Sequence, residues 1–310
     1  MPEQSSLPER RHLYQNHHLD STRWDYFAPR PGDIIISTSY KAGTTWMQTI
    51  VANLLYPNND APAPATALSP WLDARFFPLE LVLNQLASQT SRRFIKTHLP
   101  LDGLPYYEDV QYIVVSRDPR DVFVSLLNHW SNHTPQAYTI MNSIPGRVGE
   151  PFPPFEDDVP KLWQDWMTRG WFEWESDGYP YWSHLHHAET WWNYRHLPNI
   201  CLLHYADLLA DLEGEMRRLA SYLGITVPEK RWSTVADACT FASVKKDPEK
   251  VVGDMSMMFK GGAQTFINKG TNGRWRELLN ETDLALYEAT MARTLSPDCA
   301  RWLEQGSAAA

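Results

Sequence analysis

Residues 39–46 read S-Y-K-A-G-T-T-W, directly after the apolar run D-I-I-I-S-T. A loop joining a strand's carboxyl end to a helix N-terminus presents unpaired N–H groups and the positive end of the helix dipole, which suits an anion. Gly43 lets the backbone curl close to that anion. Thr44 and Thr45 add hydroxyl donors, and Lys41 adds a mobile positive charge. The triphosphate loop G-x-x-x-x-G-K-[ST] has its lysine directly after the last glycine. Here the lysine stands two residues before Gly43, no glycine opens the pattern, and no carboxylate ends a neighbouring strand as a metal ligand. Alone, the stretch reads as a phosphate loop of another kind or as a strand–turn–helix capped by a threonine. A P-loop kinase or NTPase is the runner-up.

The elements that must position this loop are legible around it. Residues 33–39 form a β-branched run, read as a buried parallel strand. Residues 44–55 space Trp46, Met47, Ile50, Val51 and Leu54 helically, until P-N-N-D-A-P-A-P-A opens a loop. Further strands are expected at 93–97, ending before His98-Leu99-Pro100, at 111–116 and at 199–204. Pro119 suits the first turn of a helix running to about Trp130, and an amphipathic helix over 207–223 is expected to stop at Gly224. Strands alternating with helices indicate an α/β fold, with a central parallel β-sheet covered on both faces. Residues 131–183 break this rhythm with five Trp and many Phe, Tyr, Pro and Gly. They read as an acceptor-binding segment or lid, or as a satellite hydrophobic cluster. The tail from Gly306 is expected to fray.

With 310 residues the chain has room for one large domain. A formal charge of −9 argues against a nucleic-acid partner, which needs a basic face, but leaves room for one basic cleft. Three scattered cysteines suit neither a disulfide framework nor a zinc site, so the cytoplasm is the expected compartment. The opening M-P-E-Q-S-S-L-P-E-R-R has no apolar run behind its charges, and no membrane span is expected. His184, His186 and His187 lack zinc spacing and read as surface histidines on a helix, so no metal is assigned.

The blocks T-S-Y-K-A-G-T-T-W, R-F-I-K-T-H-L-P, V-S-R-D-P-R-D-V-F-V-S and F-I-N-K-G-T-N-G-R-W, in this order, resemble the cytosolic sulfotransferases, enzymes dependent on 3′-phosphoadenosine 5′-phosphosulfate; the likeness is to bacterial aryl and alcohol sulfotransferases and spans roughly residues 30–280. T-S-Y-K-A-G-T-T-W resembles the family's Y-P-K-[SA]-G-T-T-W loop, and R-F-I-K-T-H-L-P (93–100) its lysine–histidine segment. V-S-R-D-P-R-D-V-F-V-S (115–125) resembles its 3′-phosphate segment, with Arg117 and Ser125 spaced as the family has them. F-I-N-K-G-T-N-G-R-W (266–275) resembles its late R-K-G-x-x-G-x-W block.

The resemblance implies a sulfotransferase fold in one domain: a cofactor core over 30–130, the aromatic insertion, and the remaining core over 184–280. It implies His98 as general base toward a small-molecule hydroxyl or amine. Lys41 would meet the bridging oxygen and Lys96 the sulfuryl oxygens, with no metal required. The loop Lys41, Ala42, Gly43, Thr44, Thr45 and Trp46 would cradle the 5′ end of the donor. Arg117 and Ser125 would grip its 3′-phosphate, helped by Phe266, Ile267, Asn268, Lys269 and Gly270. Asn268 stands where the family has arginine, which removes one cation and keeps an inactive, nucleotide-sensing relative as a further alternative. Cys239 replaces an adenine-contacting threonine, Phe241 and Trp46 keep the aromatic partners, and the family's adenine-contacting tyrosine finds no match ahead of Trp191-Trp192.

Overall fold

The computed structural model describes residues 7–309. Residues 1–6 and Ala310 lie outside the described residues, so the expectation of a leaderless N-terminus falls partly outside them. Four strands make one parallel sheet: β1 (Ile34–Thr38), β2 (Phe94–Thr97), β3 (Gln111–Ser116) and β4 (Ile200–His204), in the order β2-β1-β3-β4. Each lies within a residue of its expected bounds. Side chains alternate between two cores: Ile35, Ile95, Tyr112 and Val114 enter one, while Ile34, Ile36, Phe94, Ile113 and Val115 enter the other. Burial on both faces is why β1 and β3 read as continuous, largely β-branched runs.

The helices Thr44–Leu55, Leu212–Leu223 and Trp232–Cys239 cover one face through Met47, Ile50, Met216, Leu219 and Val235. Pro119–Ser131, His184–Trp192 and Glu281–Thr294 cover the other through Phe123, Leu126, Leu185, Trp191 and Tyr287. In register, Ser37 stands beside Thr97, Thr38 beside Val115, and Ser116 beside His204. The carboxyl ends of the strands are therefore level. The residues that follow them emerge along one edge, the usual ligand crevice of an open parallel sheet.

Three expectations need correction. The helix over 207–223 is two helices, Tyr205–Ala210 and Leu212–Leu223, because the Asp211 carboxylate interrupts it and caps the second, accepting from the Gly214 N–H at 2.9 Å. Gly224 does close it, in the left-handed region at φ 66°. The tail is not frayed over Gly306–Ala309: this is a 3₁₀ turn, and the Ser307 N–H and hydroxyl both donate to the Asp207 carboxylate. The three histidines of the Ser183-capped helix are not all at the surface; His184 and His187 are buried. Within 131–183, the helices Pro135–Ser143 and Val159–Thr168 form, and Trp163 and Trp166 pack on Phe123 with ring centres 4.8 and 5.4 Å away. Among the described residues no helix is long and apolar enough to cross a membrane.

Candidate active site

The loop after β1 opens the Thr44–Leu55 helix. Gly43, at φ 117°, is its N-cap and brings no side chain to the cap. A Cβ there would also press on the Tyr205 ring at 3.0 Å. The first helical backbone bond runs from the Met47 N–H to the Gly43 carbonyl, and the N–H groups of Gly43, Thr44, Thr45 and Trp46 take no protein acceptor among the described residues. These are the orphan donors of a helix start. The Thr44 and Thr38 hydroxyls share a bond of 2.5 Å that ties the helix start to the end of β1. Ala42 is fully buried beneath, and Thr45 is half-buried. Lys41 sits at φ 67°, a left-handed conformation that costs a non-glycine residue on the order of 1–3 kcal/mol.

His98 follows β2 and is almost wholly buried. Its Nδ1 lies 2.8 Å from the Thr38 carbonyl, which can only accept, so Nδ1 carries the proton. The lone pair of Nε2 is thereby left for another proton. Burial, with Lys96 beside it, pushes the imidazolium well below the usual histidine range, so His98 is neutral near pH 7. Rings of Trp71, Tyr40 and Trp182 surround it, with centres 4.8, 4.9 and 5.9 Å away. Lys96, two residues earlier, holds its Nζ 4.3 Å from the Trp71 ring centre. Trp71 is held in turn by Asp73, a buried carboxylate that also accepts from Trp24 and from the Thr97 hydroxyl of β2.

Lys41 reaches across the edge. Its Nζ lies 3.2 Å from His129 Nδ1 and 4.8 Å from the Phe266 ring centre. Burial, with Lys96 and Arg117 nearby, lowers its ammonium to about 7; burial lowers that of Lys96 to about 8. Lys41 and Lys96 are half-buried; Arg117, after β3, is buried, and burial lowers it too. Among the described residues none of these three cations has a carboxylate within ion-pair distance. Asp118 pairs with Arg120, and Asp121 accepts from the Gly273 N–H at 2.8 Å.

Arg117 gives Nε to Asn272 at 3.0 Å and Nη2 to the Thr271 carbonyl at 2.8 Å, clasping the loop after Gly270. That loop fits closely: Gly270 sits at φ 68°, and a Cβ there would overlap the Phe241 ring. Ser125 is half-buried and, by its four-residue spacing, shares a helix face with Asp121 and His129. Ile267 is buried, its carbonyl held by Lys245; Asn268 is half-buried and Lys269 exposed. Cys239 does not reach the edge with its thiol. It is fully buried in the helix-covered core, and its carbonyl accepts from Trp46 Nε1 at 2.7 Å.

Several neighbours of the site were not read from the sequence. Tyr205 follows β4 in H-Y-A-D, lies 5.1 Å from the Trp46 ring centre, and carries the Arg117 guanidinium 4.3 Å above its own. His184 accepts from the Ser39 hydroxyl and places Nε2 2.8 Å from the Arg117 carbonyl, bridging the ends of β1 and β3. Burial lowers it to about 4, so it does this as a neutral ring. His187 Nε2 meets the Ser37 hydroxyl at 2.9 Å. Trp71, Asp73, His129 and Arg274 complete the surroundings. Among the described residues no three His, Cys, Asp or Glu side chains converge as a metal site would.

The chain matches the sulfotransferase domain model over residues 31–297. It is 34% identical over 308 residues to a glycolipid sulfotransferase of Mycobacterium bovis, covering 95% of this chain and 94% of the relative. It is 26% identical to sulfotransferase 1B1 of Mus musculus, covering 90% and 87% of the two chains. Mouse sulfotransferase SULT7A1, solved in complex with PAP, shares the fold at a TM-score of 0.69 and 19% identity, over 91% of this chain and 92% of that one. Retinol dehydratase, solved with androsterone and the inactive cofactor PAP, aligns at 0.66 and 24% identity, over 89% and 84%. A strand–helix loop with its lysine ahead of the glycine and a neutral histidine at the next strand end sit in a chain that matches the domain model and its relatives across nearly its whole length: this chain belongs to the sulfotransferase family.

Proposed function

We propose that the chain moves a sulfuryl group from 3′-phosphoadenosine 5′-phosphosulfate to the hydroxyl or amine of a small, flat, largely apolar acceptor. The observation that carries this reading is the meeting of two half-buried lysines, one buried arginine and one neutral histidine at a single sheet edge, the three cations having no carboxylate within ion-pair distance among the described residues. Lys41, Lys96 and the loop N–H groups fit a phosphosulfate, whose negative charge would restore full protonation to both lysines. His98 Nε2 takes the acceptor's proton as its oxygen bonds to sulfur. Lys41 donates to the phosphate oxygen that keeps the electron pair of the breaking S–O bond, and Lys96 donates to the sulfuryl oxygens. The products are a sulfate ester and adenosine 3′,5′-bisphosphate.

Arg117 and Ser125 hold the 3′-phosphate in this reading. Arg274, half-buried and without a side-chain partner among the described residues, lies close enough to oppose the charge of Arg117 and supplies the cation that Asn268 lacks. Trp46 and Tyr205 flank the adenine, with Phe241 across from them. Arg117→Ala is expected to weaken adenosine 3′,5′-bisphosphate binding by about 1–3 kcal/mol, the loss of a charge-assisted bond. Calorimetry checks this, and unchanged affinity would remove the 3′-phosphate role. The wild-type chain should prefer that nucleotide to ATP–Mg²⁺; the reverse preference would make it a kinase or NTPase.

Affinity for the bisphosphate should also fall as pH rises. Lys41 loses its proton through about 7 and Lys96 through about 8, and each lost cation weakens anion binding. His98 stays neutral over that range and adds no dependence. Binding at pH 8 should therefore take up protons, read as a difference in heat between buffers of unlike ionisation enthalpy. Affinity that stays flat from pH 6.5 to 9 would contradict the lysine roles.

The acceptor class rests on rings. Tyr40 stacks on Tyr181 at 4.6 Å, and His18 meets Phe76 and Phe152, both at 5.1 Å, making a slab of aromatic rings beside His98 in which Tyr40 and Phe76 are the partly exposed members. Tyr181 Oη is buried with no hydrogen-bond partner among the described residues and suits one polar group on an otherwise apolar molecule. The aromatic insertion supplies Trp163, Trp166, Phe152 and Tyr181 to one core; in this reading Phe152 and Tyr181, the two nearest the His18 and Tyr40 rings, back the acceptor side. The mycobacterial relative's name supports a second acceptor, the sugar hydroxyl of a glycolipid, whose ring faces would also stack on this slab.

A further inference from the structure

Tyr40 and Lys41 are consecutive, and one imidazole touches both of their side chains. His129 Nδ1 lies 3.2 Å from Lys41 Nζ, and His129 Nε2 lies 3.3 Å from Tyr40 Oη. The ring is buried and fixed by its own packing, 4.5 Å from the Phe259 ring centre, 5.0 Å from that of His133 and 5.2 Å from that of Tyr40. It stands on the last turn of the Pro119–Ser131 helix, on the same face as Ser125. Lys41 ammonium can only donate, so Nδ1 accepts; Nε2 then carries the proton and donates to the tyrosine oxygen. The backbone between the two held side chains is the left-handed Lys41, the conformation a lysine does not choose unaided.

Resting on the role given to Lys41 above, we propose that His129 is a positioning residue that clamps both ends of the Tyr40–Lys41 pair. The clamp holds the strained loop and aims the ammonium across the site. Tyr40 is also stacked on Tyr181 and packed 4.9 Å from His98, so the same imidazole fixes one residue of the acceptor slab and one of the donor loop. A lysine released from this clamp has four rotatable bonds and a backbone free to relax from φ 67°. Its ammonium would then meet the leaving oxygen in only a fraction of encounters, which lowers the rate of the chemical step more than donor affinity.

The test is a double-mutant cycle on sulfuryl transfer from 3′-phosphoadenosine 5′-phosphosulfate. His129→Phe keeps a ring and removes both nitrogens; kcat is expected to fall roughly 10- to 100-fold, with bisphosphate affinity within about threefold of wild type. His129→Gln, which can still accept from Lys41, should recover most of that loss. In a Lys41→Ala background, His129→Phe should change kcat by no more than about twofold, because its route of action is gone. An equal fall from His129→Phe in both backgrounds would overturn the proposal, as would a kcat for His129→Phe within about twofold of wild type in the Lys41 enzyme. Failure of the underlying reading looks different: Lys41→Ala alone would then leave kcat unchanged.

Discussion

His98→Asn is expected to lower kcat by about 10²–10⁴-fold, the usual worth of a positioned general base. The asparagine amide can still donate to the Thr38 carbonyl, so the link between β1 and β2 survives while the lone pair of Nε2 disappears. Binding of adenosine 3′,5′-bisphosphate should stay within about threefold of wild type, because the proposed role sets His98 against the acceptor and not the nucleotide. Turnover near wild type would remove His98 as the base. The acid side gives a second check. A histidine held neutral well below its usual range imposes no loss of rate between pH 8 and 6.5, where an ordinary histidine would begin to protonate.

Lys41→Ala should cost about 10²–10³-fold in kcat, the loss of one preorganised donor to an oxygen that gains charge only as the S–O bond breaks. Arginine should not restore it, since a planar fork does not reproduce a compact ammonium held between His129 and Phe266. The variant also changes the shape of the pH profile. In wild type, kcat/KM for the donor falls as Lys41 deprotonates through about 7; in Lys41→Ala only the later fall from Lys96, through about 8, remains. A kcat unchanged by Lys41→Ala would leave the leaving oxygen without its proposed partner.

The strands were legible because burial on both faces writes itself as D-I-I-I-S-T and Q-Y-I-V-V-S, and the register of a parallel sheet then levels their carboxyl ends. The loop between β1 and the Thr44–Leu55 helix was legible because its parts are local: glycine, threonines and helix start are contiguous. What the sequence hid are contacts between distant segments. His129 lies 88 residues from Lys41, and His184 lies 145 from Ser39. Nothing in H-L-H-H distinguishes a buried imidazole bridging two strand ends from one in solvent; both sit at helical spacing. Tyr205 went unread because H-Y-A-D looks like a plain helix start, although a tyrosine directly after a parallel strand is placed at the ligand edge by topology alone. The Asp211 break was missed for a simpler reason: apolar periodicity continues across it, and only the carboxylate's reach to Gly214 marks the new start. Cys239 aligned with a nucleotide-contacting position, yet its thiol turns into the core and only its carbonyl meets Trp46.

The most direct measurement follows sulfur itself. Donor labelled in the sulfuryl group is incubated with a panel of phenols, steroid alcohols, aliphatic alcohols, sugars and glycolipids, using the wild-type chain and His98→Asn. Label is expected on a flat aromatic or apolar hydroxyl compound with the wild type, and about 10²–10⁴-fold less with the variant. Tight binding of the bisphosphate without transfer to any acceptor would make the chain a nucleotide-binding relative, and transfer that His98→Asn leaves intact would contradict the catalytic assignment.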